Sequence, residues 1–198
     1  LFREAKSENA RMSIEALLSR LSRFTGDGMY SFIDQSGTEL SITNPFTVFE
    51  FRNTPTQVRE TLTAIVMNYV KAKTMGNMDR TIIVLEEAPL WLKHEVLADF
   101  LATMIVLVRK SNNGIILVLQ DLGQLENCQQ GETLLGNIMF TYLMSCKKNL
   151  LKKTAITFNL NEKEQEILLH SSVGEGILLW SRERFHVKIK IDPETYKL

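Results

Sequence analysis

Two runs of aliphatic residues, Thr81-Ile-Ile-Val-Leu85 and Ile115-Ile-Leu-Val-Leu119, constrain this chain more than any other feature. Neither alternates with polar residues, so as a strand each carries apolar side chains on both faces. Between them, Pro89 to about Lys110 reads as a helix that is apolar on nearly every side. Parallel neighbours need a long crossover, so strand, helix, strand in this order predicts a parallel sheet covered by helices. Upstream, Thr47-Val-Phe-Glu-Phe51 reads as a further strand. Thr54-Pro55 then reads as the N-cap and first residue of a long helix. Val58, Leu62, Ile65, Val66, Tyr69 and Val70 form its apolar stripe, and Gly76-Asn77 ends it.

The flanks carry weaker signals. Ile14, Leu17, Leu18, Leu21 and Phe24 fall at helical spacing, and Asp27-Gly28 closes that segment. Met29 to Ile33 and Thr38 to Ile42 around Ser36-Gly37 predict a small hairpin. Toward the other end, Gly131 to Gly136 suggests a short helix and Asn137 to Leu143 a strand. Asn161 with Glu164 has the spacing of a capping box that opens a helix running to about His170. Ile177 to Trp180, a turn at Arg182-Glu183, and alternating Phe185, Val187, Ile189 and Ile191 predict a half-exposed antiparallel hairpin.

With 198 residues, 44% of them hydrophobic, the chain can bury one sizeable core. Lys plus Arg and Asp plus Glu each number 23, so no net charge draws the molecule to nucleic acid or an acidic membrane. Cys128 and Cys146 lack metal-site spacing and suggest no disulfide framework, which suits a reducing cytoplasm. No apolar run approaches the ~20 residues of a membrane span. The nearest, Leu97 to Val108, is interrupted by Asp99 and Thr103. No signal peptide is visible, and the chain opens at Leu1 on charged helical sequence, so it reads as an internal or C-terminal piece of a longer protein.

Ligands in open parallel sheets sit beyond the carboxyl ends of the strands, where Glu86, Glu87 and Gln120 fall. Those residue types suit nucleoside triphosphate hydrolysis. One carboxylate holds Mg²⁺ through its water shell, a second deprotonates the attacking water, and an amide on the next strand senses the γ-phosphate. The competing reading is that a core strand has simply reached water. Arg109 ends the intervening helix. It suits either a cation favoured by the helix dipole or an arginine presented to a neighbouring subunit's γ-phosphate. Lys147, Lys148, Lys152 and Lys153 form a basic cluster that suits a solvated loop better than a nucleic-acid contact. His94, His170 and His186 have no metal-ligand spacing, and no Gly-x-Ser-x-Gly elbow occurs. There is also no Gly-x-x-x-x-Gly-Lys-Ser/Thr, so the backbone cradle for phosphates is missing from this stretch.

In order, FTGDGMYSFIDQSGTEL, FTVFEF, TIIVLEEAPLWL, LVRKSNNGIILVLQDL and FNLNEKEQEILLHSSVGEGILLWSRERFHVKIKIDP resemble the second half of a known motor domain. It is that of the conjugative-transfer and type IV secretion ATPases (TraC/TraG-like), in the RecA-like superfamily that includes HerA and FtsK. The resemblance implies an α/β RecA-like P-loop core, cut downstream of its phosphate-binding loop, with a C-terminal β-hairpin. Residues 1–43 would be the end of a helical insertion plus a small hairpin, and residues 44–198 the C-terminal portion of the core. Glu86 takes the metal-associated position, Glu87 that of the catalytic base, Gln120 that of the γ-phosphate sensor, and Arg109 that of the arginine offered to a neighbour. ATP and Mg are the implied cofactors. Implied partners are further copies in a hexamer, other secretion machinery at the cytoplasmic face of the membrane, and DNA or protein as cargo. A HerA/FtsK-type DNA translocase and a non-catalytic scaffold are the alternatives. The family usually has Asp where Glu86 stands, and the extra methylene moves the carboxylate by about 1.5 Å.

Overall fold

The computed structural model describes residues 8–31, 44–51, 53–76, 80–86, 88–190 and 192. The chain divides into two compact units, Leu1–Gly76 and Asn77–Leu198. The sequence-read boundary after residue 43, like most of the hairpin expected between Met29 and Ile42, falls at residues 32–43, outside the described ones.

In the first unit, α1 spans Glu8–Leu21 and continues as a single 3₁₀ turn, Ser22–Phe24. Its stripe lies at the expected spacing but is not covered, since Leu17, Leu18 and Leu21 are each about half exposed. Helix α2 spans Thr56–Gly76. Pro55 supplies the first accepting carbonyl, to the Val58 and Arg59 N–H groups, so the helix starts one residue later than Thr54-Pro55 suggested. Thr63, Val66, Met67, Val70 and Thr74 form its buried stripe. Thr74 tolerates burial because its hydroxyl donates to the Val70 carbonyl at 2.9 Å. Residues 47–51 pair with no strand among the described residues, and Val48 is 69% exposed. β-propensity alone does not make a strand; a ladder partner does.

The second unit begins with β1, Ile82–Leu85, paired in parallel with β2, Gly114–Leu117. Their connection is two helices rather than the single one expected: α3, Ala88–Leu92, and α4, Glu95–Lys110. His94 adopts an extended conformation between them. The break lets Trp91 and Leu92 on α3 and Leu97 on α4 all be buried, which one straight stripe does not achieve. Helix α4 buries Leu101 and Met104 completely and packs on β2. Asn112 ends it in the left-handed conformation, with the Asn113 N–H donating to the Val108 carbonyl, a Schellman-type closure.

This crossover covers one face of the parallel pair. Ile83 and Leu85 are buried, whereas Ile82, Val84, Ile116 and Val118 on the opposite face are 68%, 55%, 49% and 45% exposed. The expectation of helices on both faces therefore holds for one face only among the described residues. A single α3–α4 connection can lie on only one side of the sheet.

Short helices α5, Gly123–Glu126, and α6, Gly131–Asn137, lead to β3, Phe140–Met144. Helix α7, Lys148–Thr157, and α8, Glu162–His170, precede the hairpin β4, Glu175–Trp180, and β5, Glu183–Lys188. The expected hairpin is present and is joined by β3 into an antiparallel sheet of order β3-β4-β5. Leu151, Ala155, Leu160, Leu168 and Ile177 form the core between this sheet and α7–α8. Gly176 is required there, since a Cβ would stand 2.1 Å from the Leu143 carbonyl oxygen on β3. The capping box is as read: the Asn161 side chain accepts the Glu164 N–H at 2.9 Å, and Glu164 accepts the Asn161 N–H at 2.8 Å. Strand β5 is more open than its alternation suggested, with Phe185 42% exposed, because it is the sheet edge and α8 packs on β4.

Candidate functional site

Parallel pairing with the register Leu85↔Leu117 brings the carboxyl ends of β1 and β2 to one rim. Glu86 follows β1 directly, in a turn, and is exposed. Gln120 lies in a bend three residues past the end of β2 and is also exposed. The aliphatic run continues to Leu119, but regular pairing stops at Leu117.

Val118 holds the two ends together. Its N–H donates to the Leu85 carbonyl at 3.0 Å, and its own carbonyl accepts the Ala88 N–H at 3.4 Å. One residue of the second strand end thus bonds both Leu85 and Ala88, the described residues that flank Glu86-Glu87 in sequence, two positions before Gln120. Glu87 itself lies outside the described residues. Beyond Gln120, the Asp121 carboxylate accepts the Gly123 N–H at 2.8 Å and starts α5.

Arg109 is placed elsewhere. It lies exposed in the last turn of α4, whose 16 residues span about 24 Å. That helix end adjoins the start of the sheet, where Gly114 N–H donates to the Thr81 carbonyl and the Asn113 side chain accepts the Thr81 N–H, both at 2.9 Å. A four-residue strand, about 13 Å, separates the starting rim from the rim with Glu86 and Gln120. The structure brings Glu86 and Gln120 to one rim and leaves Arg109 at the other.

The donor set fits one side of a metal–nucleotide site. Mg²⁺ in such sites uses one or two carboxylates, with water and phosphate oxygens supplying the rest. Glu86, exposed at the strand end, suits that role through water. No cluster of three or more His, Cys, Asp or Glu side chains able to hold a metal occurs among the described residues. The phosphate cradle has no counterpart in the sequence. A separate groove of about 500 Å³ lies beside the antiparallel sheet, lined by Phe158, Trp180 and Arg184 among others, and none of the rim residues lines it.

Sequence reasoning overlooked one contact near the rim. Lys153, read only as part of a basic cluster, pairs with Glu126 of α5 at 2.6 Å, and the Thr157 hydroxyl donates to the same carboxylate at 2.7 Å. The Lys153 ammonium, and after it the Thr157 hydroxyl, hold the Glu126 carboxyl below the usual carboxylate range. Lys147, Lys148 and Lys152 are exposed, as a solvated cluster would be. Both cysteines are free, and burial pushes the Cys146 thiol up. Among the described residues no helix is long and apolar enough to cross a membrane.

Comparison with known proteins agrees with this architecture. The model of the TraG P-loop domain family matches residues 1–177. The solved structure of VirB4 of Thermoanaerobacter pseudethanolicus is similar to the chain with a TM-score of 0.78 at 24% identity. That similarity covers 94% of this chain and 53% of the VirB4 chain, so the present chain spans about half of that protein's length. At this identity it speaks for the fold. No curated protein matches the chain.

Proposed function

The chain belongs to the TraG P-loop domain family, a family of conjugation and type IV secretion ATPases, and from that premise we propose that its rim is one half of an ATP-hydrolysing site. The observation that carries the reading is the double bonding of Val118 to Leu85 and Ala88, which sets the strand end at Glu86 beside the segment that leads to Gln120. Glu86 would hold Mg²⁺, Glu87 would take a proton from the attacking water, and the Gln120 amide would orient that water. Bound Mg²⁺ would neutralise charge developing on the phosphate oxygens. The phosphate-binding backbone belongs to the other half of the site.

Arg109 cannot serve the rim of its own chain, given its place at the opposite end of the sheet. Its exposure suits a role toward a neighbouring copy, as in a hexameric ring. The whole protein would then use ATP to drive transfer of DNA or protein at the cytoplasmic face of a membrane.

In the whole protein, Glu87→Gln should lower ATP turnover at least about a hundredfold while sparing ATP binding. Undiminished turnover would remove Glu87 from its role. The chain alone, lacking a phosphate cradle, should show no measurable hydrolysis and no tight ATP binding by calorimetry. Glu86 in place of the family's usual Asp favours one competing reading, a scaffold that keeps the shape without the chemistry. Robust ATP hydrolysis by the whole protein would end that reading.

A further inference from the structure

Gln120 is supported by backbone on two sides. Upstream is the ladder through Val118; downstream is the short segment Asp121–Glu126, in which successive residues are bonded to one another. Asp121 accepts the Gly123 N–H through its carboxylate and the Gln124 N–H through its carbonyl, and the Leu122 carbonyl accepts from Leu125 and Glu126. Leu125 is fully buried. Gln120 itself is exposed, and the backbone on either side sets the point from which its side chain extends. The far end of this segment is Glu126, and Glu126 is tied to α7 by Lys153 at 2.6 Å and Thr157 at 2.7 Å. Lys153 reaches it by crossing directly over Gly123, where a Cβ would stand 2.9 Å from the Lys153 ammonium nitrogen and 3.2 Å from Asp121 Oδ1.

We propose that Glu126, Lys153 and Thr157 are positioning residues for Gln120: their tie between α5 and α7 holds the segment after the strand end, and with it the amide, in register with Glu86 at the neighbouring strand end. The inference rests on the function proposed for the rim. An exposed ion pair adds little to global stability, so its value here is geometric, in removing one freedom of a short segment that ends on the water-orienting group. A group that acts on the attacking water contributes in the transition state, and its misplacement lowers kcat rather than weakening nucleotide binding.

The test uses the whole protein, with steady-state ATP hydrolysis, binding of a fluorescent ATP analogue and thermal unfolding measured together. Glu126→Gln and Lys153→Met should each lower kcat roughly threefold to tenfold, with KM and analogue affinity unchanged. Thr157→Val, which removes only the hydroxyl, should give a smaller loss. The exchange Glu126→Lys with Lys153→Glu should restore most of the rate. Single variants with unchanged kcat, or with a lower Tm and unchanged kcat, would overturn the inference, as would a loss that the exchange leaves unrepaired. Gln120→Ala separates the two layers. If it removes turnover while the tie variants are silent, the rim reading stands and the positioning role fails. If Gln120→Ala itself turns over normally, the rim reading fails.

Discussion

The parallel pair β1–β2 and the antiparallel sheet β3–β5 lie in one unit, yet they finish their edges differently. The antiparallel sheet is closed on one face: α7 and α8 cover its core, a capping box starts α8, and Arg184 of β5 bonds the Phe158 and Asn159 carbonyls at 3.0 Å and Glu164 at 2.8 Å. The parallel pair has an equally buried face against α3 and α4, but its other face displays Ile82, Val84, Ile116 and Val118. Packed helices and side-chain bonds to loop carbonyls complete the first region. The second keeps an apolar face and a polar rim open, and the candidate site is on that open side of its architecture.

The largest test of this contrast is in the cores. Leu168 and Leu101 are both fully buried, so Leu168→Ala and Leu101→Ala should each cost about 2–5 kcal/mol in denaturant unfolding. A loss below about 1 kcal/mol at Leu168 would mean that the antiparallel region is not the well-packed one. Next comes the cap: Asn161→Ala should cost about 1 kcal/mol, read as a shift of the urea midpoint at constant slope. On the open face, Val84→Thr or Ile116→Thr in this chain should change stability by no more than about 0.5 kcal/mol. A cost comparable to the core substitutions would show that this face is covered in solution.

The smallest effect is electrostatic. Glu175 accepts the Ser172 N–H at 3.1 Å, faces His186 at 2.9 Å and lies 3.6 Å from Lys188, and these partners hold its carboxyl below the ordinary glutamate range. A carboxyl with a lowered folded-state pKa contributes stability that is fully present above the unfolded-state value and lost as pH falls through the folded-state one. Stability should therefore decline more gently with acidification in Glu175→Gln. An NMR titration should place the Glu175 midpoint below that of ordinary glutamates. A normal midpoint would remove this hairpin contact from the comparison.

How much could be read in advance depended on the range of the interactions involved. The capping box at Asn161 was legible because it is decided within a few residues. So was the common rim of Glu86 and Gln120, since a long apolar crossover between two aliphatic strands makes them parallel and aligns their carboxyl ends. The break at His94 was not legible, because the residues around it remain apolar enough for a continuous helix. Only the need to bury Trp91, Leu92 and Leu97 together selects two helices. The unpaired state of residues 47–51 and the uncovered stripe of α1 depend on which surfaces come to lie against them. Lys153 looked like one lysine among four until the fold set Glu126 beside it.

Local periodicity and turn chemistry, acting through backbone sterics and capping, determined by themselves the type and order of most elements and the end of the sheet at which acids and amide would emerge. Tertiary packing decided which of two apolar faces is buried, where helices break, and which lysine is tied down. Those outcomes rest on contacts between residues distant along the chain, whose distances no local pattern encodes.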